Sequence, residues 1–121
     1  MNPYEAGITG GLKAVMTRTL ALKGKDPVSG LDTHFYNPMW QHFGETNNTP
    51  AGTYYRIGSE DEHYWHIFDQ VLLRPALLPH YSDSHLQILA SAGNISLLTR
   101  EGVPRHEAVS DHLPILFRLD I

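Results

Sequence analysis

The sequence predicts a mixed α/β chain of the α+β kind, mainly antiparallel sheet with one N-terminal helix. Three observations point there. Ile8, Leu12, Val15, Met16 and Leu20 recur at helical spacing, with Lys13 and Arg18 on other faces. Further along, short apolar runs are bounded by Gly, Pro, Asn and Asp, and their lengths suit strands better than helices. There is no internal repeat, low-complexity segment or linker, so the 121 residues read as one domain spanning 1–121, or as half of one.

In chain order, the spacing predicts a helix over roughly 5–22, weakened in its first turns by Gly7, Gly10 and Gly11. Lys23-Gly24-Lys25-Asp26-Pro27 ends it through a glycine stop and a following proline. Residues 26–34 read as loop, and 35–43 as an irregular or short helical connection carrying aromatic packing. The Asn- and Thr-rich stretch 45–51 reads as an exposed turn. Strands are expected near 52–57, 65–73, 86–90 and 114–120, with Pro75 breaking the apolar run from Val71 to Leu78. A turn at Gly93-Asn94 leads to a separate element at Ser96-Leu97-Leu98, and 99–107 is a loop delivering the last strand.

Composition narrows the function. An apolar content of 41% with 10% aromatics suits a folded core and excludes wholesale disorder. No apolar run reaches membrane-spanning length, so no membrane span is expected. No basic segment followed by an apolar core marks a signal peptide, and with Met1 as the native start the chain is cytoplasmic. The absence of cysteine excludes a disulfide framework and a thiolate nucleophile. The formal charge of −4, with scattered basic residues, argues against a dedicated nucleic-acid grip. Eight histidines suggest metal, but no zinc-type ligand set occurs, and His63 and His66 would point to opposite faces of a strand. His66 is the exception to watch, because it lies near Asp69.

Two segments carry chemistry. Val109-Ser110-Asp111-His112-Leu113-Pro114-Ile115 sets an acid beside an imidazole where a buried strand begins. A carboxylate there can hold a divalent cation, and the histidine can exchange a proton with a phosphate ester. Upstream, Asp69 interrupts the apolar run Trp65 to Leu73. An acid in such a run is costly unless it is paired, and an imidazole N–H is a natural partner. Each segment also has a structural reading, as a turn before a strand and as a satisfied core acid. Asn37 and Trp40 read as a turn former and a core filler, or as contacts to a leaving group. Arg74, at a strand end, and Arg56 could grip phosphate in bidentate fashion.

Together Phe68-Asp69-Gln70-Val71-Leu72 and Ser110-Asp111-His112-Leu113-Pro114-Ile115 resemble the last two signatures of the endonuclease/exonuclease/phosphatase family, the DNase I-like metal-dependent phosphoesterases. Phe35-Tyr36-Asn37-Pro38-Met39-Trp40 and Gly52-Thr53-Tyr54-Tyr55-Arg56 are similar to the connection before the penultimate signature in bacterial members. The resemblance therefore runs from about residue 35 to the end. It implies half of a four-layer α/β sandwich, with Asp111 on one or two Mg²⁺ or Mn²⁺ ions, His112 at the phosphate, and Asp69 orienting His112. The family's first half supplies an Asn, a Glu, a His or Tyr and a Gly-Asp-Phe-Asn motif that this sequence lacks. The chain is expected to start just after that motif, with Met1 an expression start, an internal start or the mark of a shortened gene.

The resemblance thus implies a C-terminal portion with weak or no catalysis alone, whose partners are the missing N-terminal half and a phosphate-ester substrate, nucleic acid included. The acidic balance favours small phosphodiesters, monoesters or phosphorylated headgroups over bulk DNA. A half-sandwich leaves an apolar sheet face uncovered, so self-association through that face is expected. The competing expectation is a non-catalytic α/β binding or assembly module with structural Asp and His residues.

Overall fold

The first described element is a strand where the spacing predicts a helix. The computed structural model describes residues 12–44, 50–56 and 64–121. Strand β1 (Ala14–Val15) precedes a single helical turn and a half, α1 (Arg18–Lys23). Thr17 ends the strand and caps the helix, its hydroxyl accepting the Leu20 N–H at 3.1 Å. The helix expected over 5–22 is present from Arg18 onward and corrected over 12–17; the expectation for residues 5–11 lies outside the described residues. The physical reason is exposure. Leu12, Met16 and Leu20, three of the spaced apolar residues, are 52%, 57% and 49% exposed, so the periodicity marks no buried face.

Gly24 ends α1 where no side chain fits, since a Cβ there would lie 2.0 Å from the His34 ring. The loop beyond is held by Asp26, whose carboxylate accepts the Val28 and Ser29 N–H groups, and by the Lys25–Asp32 ion pair. Strand β2 (Phe35–Tyr36) returns parallel to β1. Asn37 then starts a 3₁₀ turn over Pro38–His42, its side chain accepting the Met39 N–H. The short helical connection expected at 35–43 is present, with a strand at its head that the sequence did not announce.

Strand β3 (Tyr54–Tyr55) pairs antiparallel with β4 (Trp65–His66). The long strand expected over 65–73 stops at His66, a correction with a local cause: the Phe68 and Asp69 N–H groups both turn onto the Thr53 hydroxyl. Burial within that run follows its apolar pattern only in part: Ile67, Val71 and Leu73 lie in the core, while Phe68 is exposed. Leu73 exchanges two backbone hydrogen bonds with Tyr36, and Pro75 opens a 3₁₀ turn over Pro75–His80. A further 3₁₀ turn over Asp83–His85 leads into β5 (Leu86–Ile88).

Strands β6 (Ser91–Ala92) and β7 (Ile95–Ser96) form a hairpin through Gly93-Asn94. Gly93 takes φ +60°, and a positive φ at the first turn position alone suits a II′ hairpin. Strand β8 (Ile115–Phe117) runs antiparallel to β5, in register Leu86 to Phe117. Just before β8, Leu113 N–H bonds to Thr53 C=O on one side, while Pro114 C=O accepts from Leu89 on the other. That segment thus joins β3 to β5.

The architecture is α+β, with few helical turns and small sheets, three of the four described two-stranded sheets being antiparallel. Met39, Ile67, Leu86 and Leu113 lie at the centre of the core. Among the described residues no helix is long and apolar enough to cross a membrane.

A polar cluster ties α1 to the turn before β5. The Arg18 guanidinium forks onto Asp83 at 3.0 and 3.3 Å and lies over the Tyr36 and Tyr81 rings. Burial pushes the Asp83 carboxyl up, but hydrogen bonds from Gln41, Arg18 and Tyr36 and the Arg18 charge outweigh it and leave the group below its ordinary value of 3.8. Burial and the Asp83 charge push the Tyr36 and Tyr81 hydroxyls up, keeping both neutral.

Two expected outcomes follow from this framework. A Cβ at Gly52 would lie 2.6 Å from the His66 carbonyl oxygen, so Gly52→Ala should lower stability by about 1–3 kcal/mol, read by urea unfolding. Because the folded-state Asp83 value is depressed, its contribution is present above the ordinary 3.8 and fades as pH falls through the lower folded value. The stability advantage of the wild type over Asp83→Asn should therefore shrink below about pH 4; an advantage unchanged down to pH 2 would contradict the assignment.

Candidate functional site

A buried threonine organises the point where β3, the exit of β4 and the approach to β8 meet. Thr53 is fully buried, and its hydroxyl accepts the N–H groups of Phe68 at 3.0 Å and Asp69 at 3.2 Å. Its own N–H donates to His66 C=O at 2.9 Å, and its C=O accepts from Leu113 at 2.7 Å. Tyr54 next to it makes an antiparallel bridge with His112.

The turn at 67–70 is braced from the other side. Gln70 donates through Nε2 to Ile67 C=O and accepts from Asn37 Nδ2 at 3.0 Å. Asn37 is fully buried, so its amide joins the turn after β2 to the turn that carries Asp69. Ser110 performs a similar local service for the histidine, its hydroxyl accepting the His112 N–H at 3.1 Å.

These constraints bring Asp69 and His112 together across 43 residues, with His112 Nδ1 2.7 Å from Asp69 Oδ2. A carboxylate only accepts, so Nδ1 carries the proton and the neutral ring keeps its lone pair on Nε2. The two side chains are 41–42% exposed, open to a ligand while anchored from beneath. Aromatic rings frame the imidazole: its centroid lies 5.1 Å from Tyr54 and 6.0 Å from Phe68, and those two stack at 4.7 Å.

Two open clefts flank the pair and share Val109 and Ser110. A smaller one, near 260 Å³, is lined by Asp69, His112, Leu97 and Leu113 among others. A larger one, near 760 Å³, is lined by Tyr54, Tyr55, Arg56, His106 and Asp111 beside the shared residues. Consecutive residues Asp111 and His112 thus face different clefts.

Of the residues singled out in the sequence, Asp69 and His112 meet directly, and Asp111 lies beside them in the larger cleft. Asn37 is packed inside as a bracing amide, with no exposed surface. Trp40 lies half-buried in the Pro38–His42 turn. Arg74 is spent elsewhere: it donates to Asp32 C=O at 2.8 Å and stacks on the Phe35 ring at 4.1 Å, lining neither cleft. Thr53, Gln70, Tyr54 and Ser110 were not singled out. Only Ser110 carried a local signal, its place two residues before the histidine suiting a serine turn.

Asp111 provides a single carboxylate, and among the described residues no group of three or more His, Asp or Glu side chains could hold a metal ion. A divalent cation needs several oxygen ligands, so these residues alone do not fit one. Compared with known proteins, the chain matches no family model, no curated protein and no solved structure at a significant level.

The bracing role of Asn37 has a measurable consequence. Asn37→Ala leaves the buried Met39 N–H without its acceptor and Gln70 without its donor, and should lower stability by about 1–3 kcal/mol in urea unfolding. A variant as stable as the wild type would contradict the bracing role.

Proposed function

We propose that this chain contributes the acid–base part of a divalent-metal-dependent phosphoesterase centre, as the C-terminal portion of a DNase I-like domain. The observation that supports the reading is the 2.7 Å Asp69–His112 pair, half-exposed and rigidly braced, with Ser110 and Asp111 beside it. His112 Nε2 makes no hydrogen bond among the described residues, which leaves it free to meet a phosphate oxygen or a leaving-group oxygen. Asp69 holds the imidazole in one tautomer and balances the charge it gains when it takes up a proton. Those two steps, orientation and proton exchange at Nε2, are what this chain's residues perform.

Asp111 is the chain's contribution to a Mg²⁺ or Mn²⁺ site in this reading, and the remaining ligands come from outside the described residues. In this reading Asn37 is engaged with Gln70 and Arg74 with Asp32 C=O and the Phe35 ring, and neither they nor Trp40 line the two clefts. Exposed Leu116 and Phe117 on β8 offer an apolar surface for the rest of the domain or for a second copy. The substrate class is a phosphate ester, small diesters and monoesters ahead of bulk nucleic acid.

A second reading has its own support, because the Asp69–His112 bond also staples segments far apart in sequence and the described residues assemble no metal-ligand group. In that case the chain is a non-catalytic binding or assembly module. Hydrolysis of bis(p-nitrophenyl) phosphate by the native gene product with Mg²⁺ or Mn²⁺ separates the two. Asp69→Asn should lower kcat by about 10²–10⁴-fold with the melting temperature nearly unchanged. Turnover indifferent to Asp69 and His112, or loss of stability as the sole effect, favours the module.

A further inference from the structure

We propose that Thr53 is the positioning residue of the Asp69–His112 pair, setting both of its members at once. The proposal rests on reading that pair as the acid–base unit, but its geometry can be tested without any turnover. In a strand, consecutive N–H groups point in opposite directions. Phe68 and Asp69 instead send theirs to one oxygen, Thr53 Oγ1, at 3.0 and 3.2 Å. That convergence bends the chain out of the strand and aims the Asp69 carboxylate at the imidazole.

A hydroxyl oxygen has two lone pairs, and both are taken by these amides. Thr53 has no exposed surface, so bulk water has no access to replace it. The other half of the pair hangs from the same residue's backbone. Thr53 C=O receives the Leu113 N–H at 2.7 Å, and the Tyr54–His112 bridge follows directly. The distance between carboxylate and imidazole is thus spanned by one residue, with the acid on its side chain and the base on its main chain. The backbone half survives a change of side chain; the hydroxyl half survives only in serine.

The test compares Thr53→Val, which keeps the shape and removes the acceptor, with Thr53→Ser, which keeps the acceptor. The readout is the His112 imidazole tautomer by long-range ¹H–¹⁵N NMR, assigned by the loss of its signals in His112→Gln. Thr53→Ser should retain the Nδ1-protonated form of the wild type. Thr53→Val should shift toward a tautomer mixture, the same outcome expected of Asp69→Asn. A merely structural threonine would lower the melting temperature without moving the tautomer, and a folded Thr53→Val with an unchanged His112 overturns the proposal.

Should Thr53→Val fail to fold, amide exchange in the wild type and Thr53→Ser decides. The Phe68 and Asp69 amides should be protected by roughly a hundredfold or more over an unstructured chain, and free exchange at both overturns the proposal. Turnover of bis(p-nitrophenyl) phosphate, measured alongside, reports on the phosphoesterase reading separately. A tautomer shift in a protein with no hydrolytic activity would uphold the role of Thr53 and remove the proposed chemistry.

Discussion

Two consecutive amides converge on the hydroxyl of a threonine that water cannot reach, and the functional geometry of this chain depends on that constraint. Without an acceptor at Thr53, the part-buried Phe68 and Asp69 N–H groups would each lose a hydrogen bond, a cost of about 1 kcal/mol each. The neighbouring Gly52 is part of the same constraint. Its missing side chain lets β3 approach the β4 backbone closely enough for Thr53 to reach past it. Strand pairing, turn and dyad are therefore one construction, in which a carboxylate and an imidazole are held by backbone hydrogen bonds while their tips stay open to solvent.

The rest of the core backs this junction. Asn37 and Gln70 carry the brace from the turn after β2 to the Asp69 turn, and Leu73 locks onto Tyr36 a few residues later. The Arg18–Asp83–Tyr36 cluster anchors the same β2 to α1 and to the approach to β5. Here a cation between two rings and a carboxylate with three donors satisfy one another, the condition under which partly buried charge is tolerated. β2 thus lies between a structural ion pair and the candidate site, which explains why the amide at its end is buried rather than displayed.

Asp69 and His112 were legible in the sequence because each stands out against its neighbours: an acid within an apolar run, and an acid–imidazole pair before one. The acid within an apolar run called for an imidazole partner, the family resemblance pointed to His112 as that partner, and the fold places the two in contact. Thr53 falls inside the Gly52-Thr53-Tyr54-Tyr55-Arg56 stretch, but its role was not legible, since nothing there marks its hydroxyl as an acceptor and its partners lie 15 and 16 residues away. The helix was overextended because periodicity registers apolar spacing whether or not that face is covered, and Leu12, Met16 and Leu20 face outward. The strand at 65–73 was overextended for a different reason: Ile67, Val71 and Leu73 are buried, but around a turn imposed from β3 that leaves Phe68 exposed. Arg74 lies against a ring and a carbonyl on neighbouring segments, contacts that its place beside Pro75 in the sequence does not reveal.

The central claim is that Asp69 acts through His112 rather than beside it. A double-mutant cycle on phosphodiester hydrolysis by the native gene product tests this most directly, with Asp69→Asn and His112→Ala made singly and together. The account predicts strong non-additivity, the double variant being no slower than His112→Ala alone. Losses that multiply independently, or a wild type with no hydrolytic activity to lose, would contradict it.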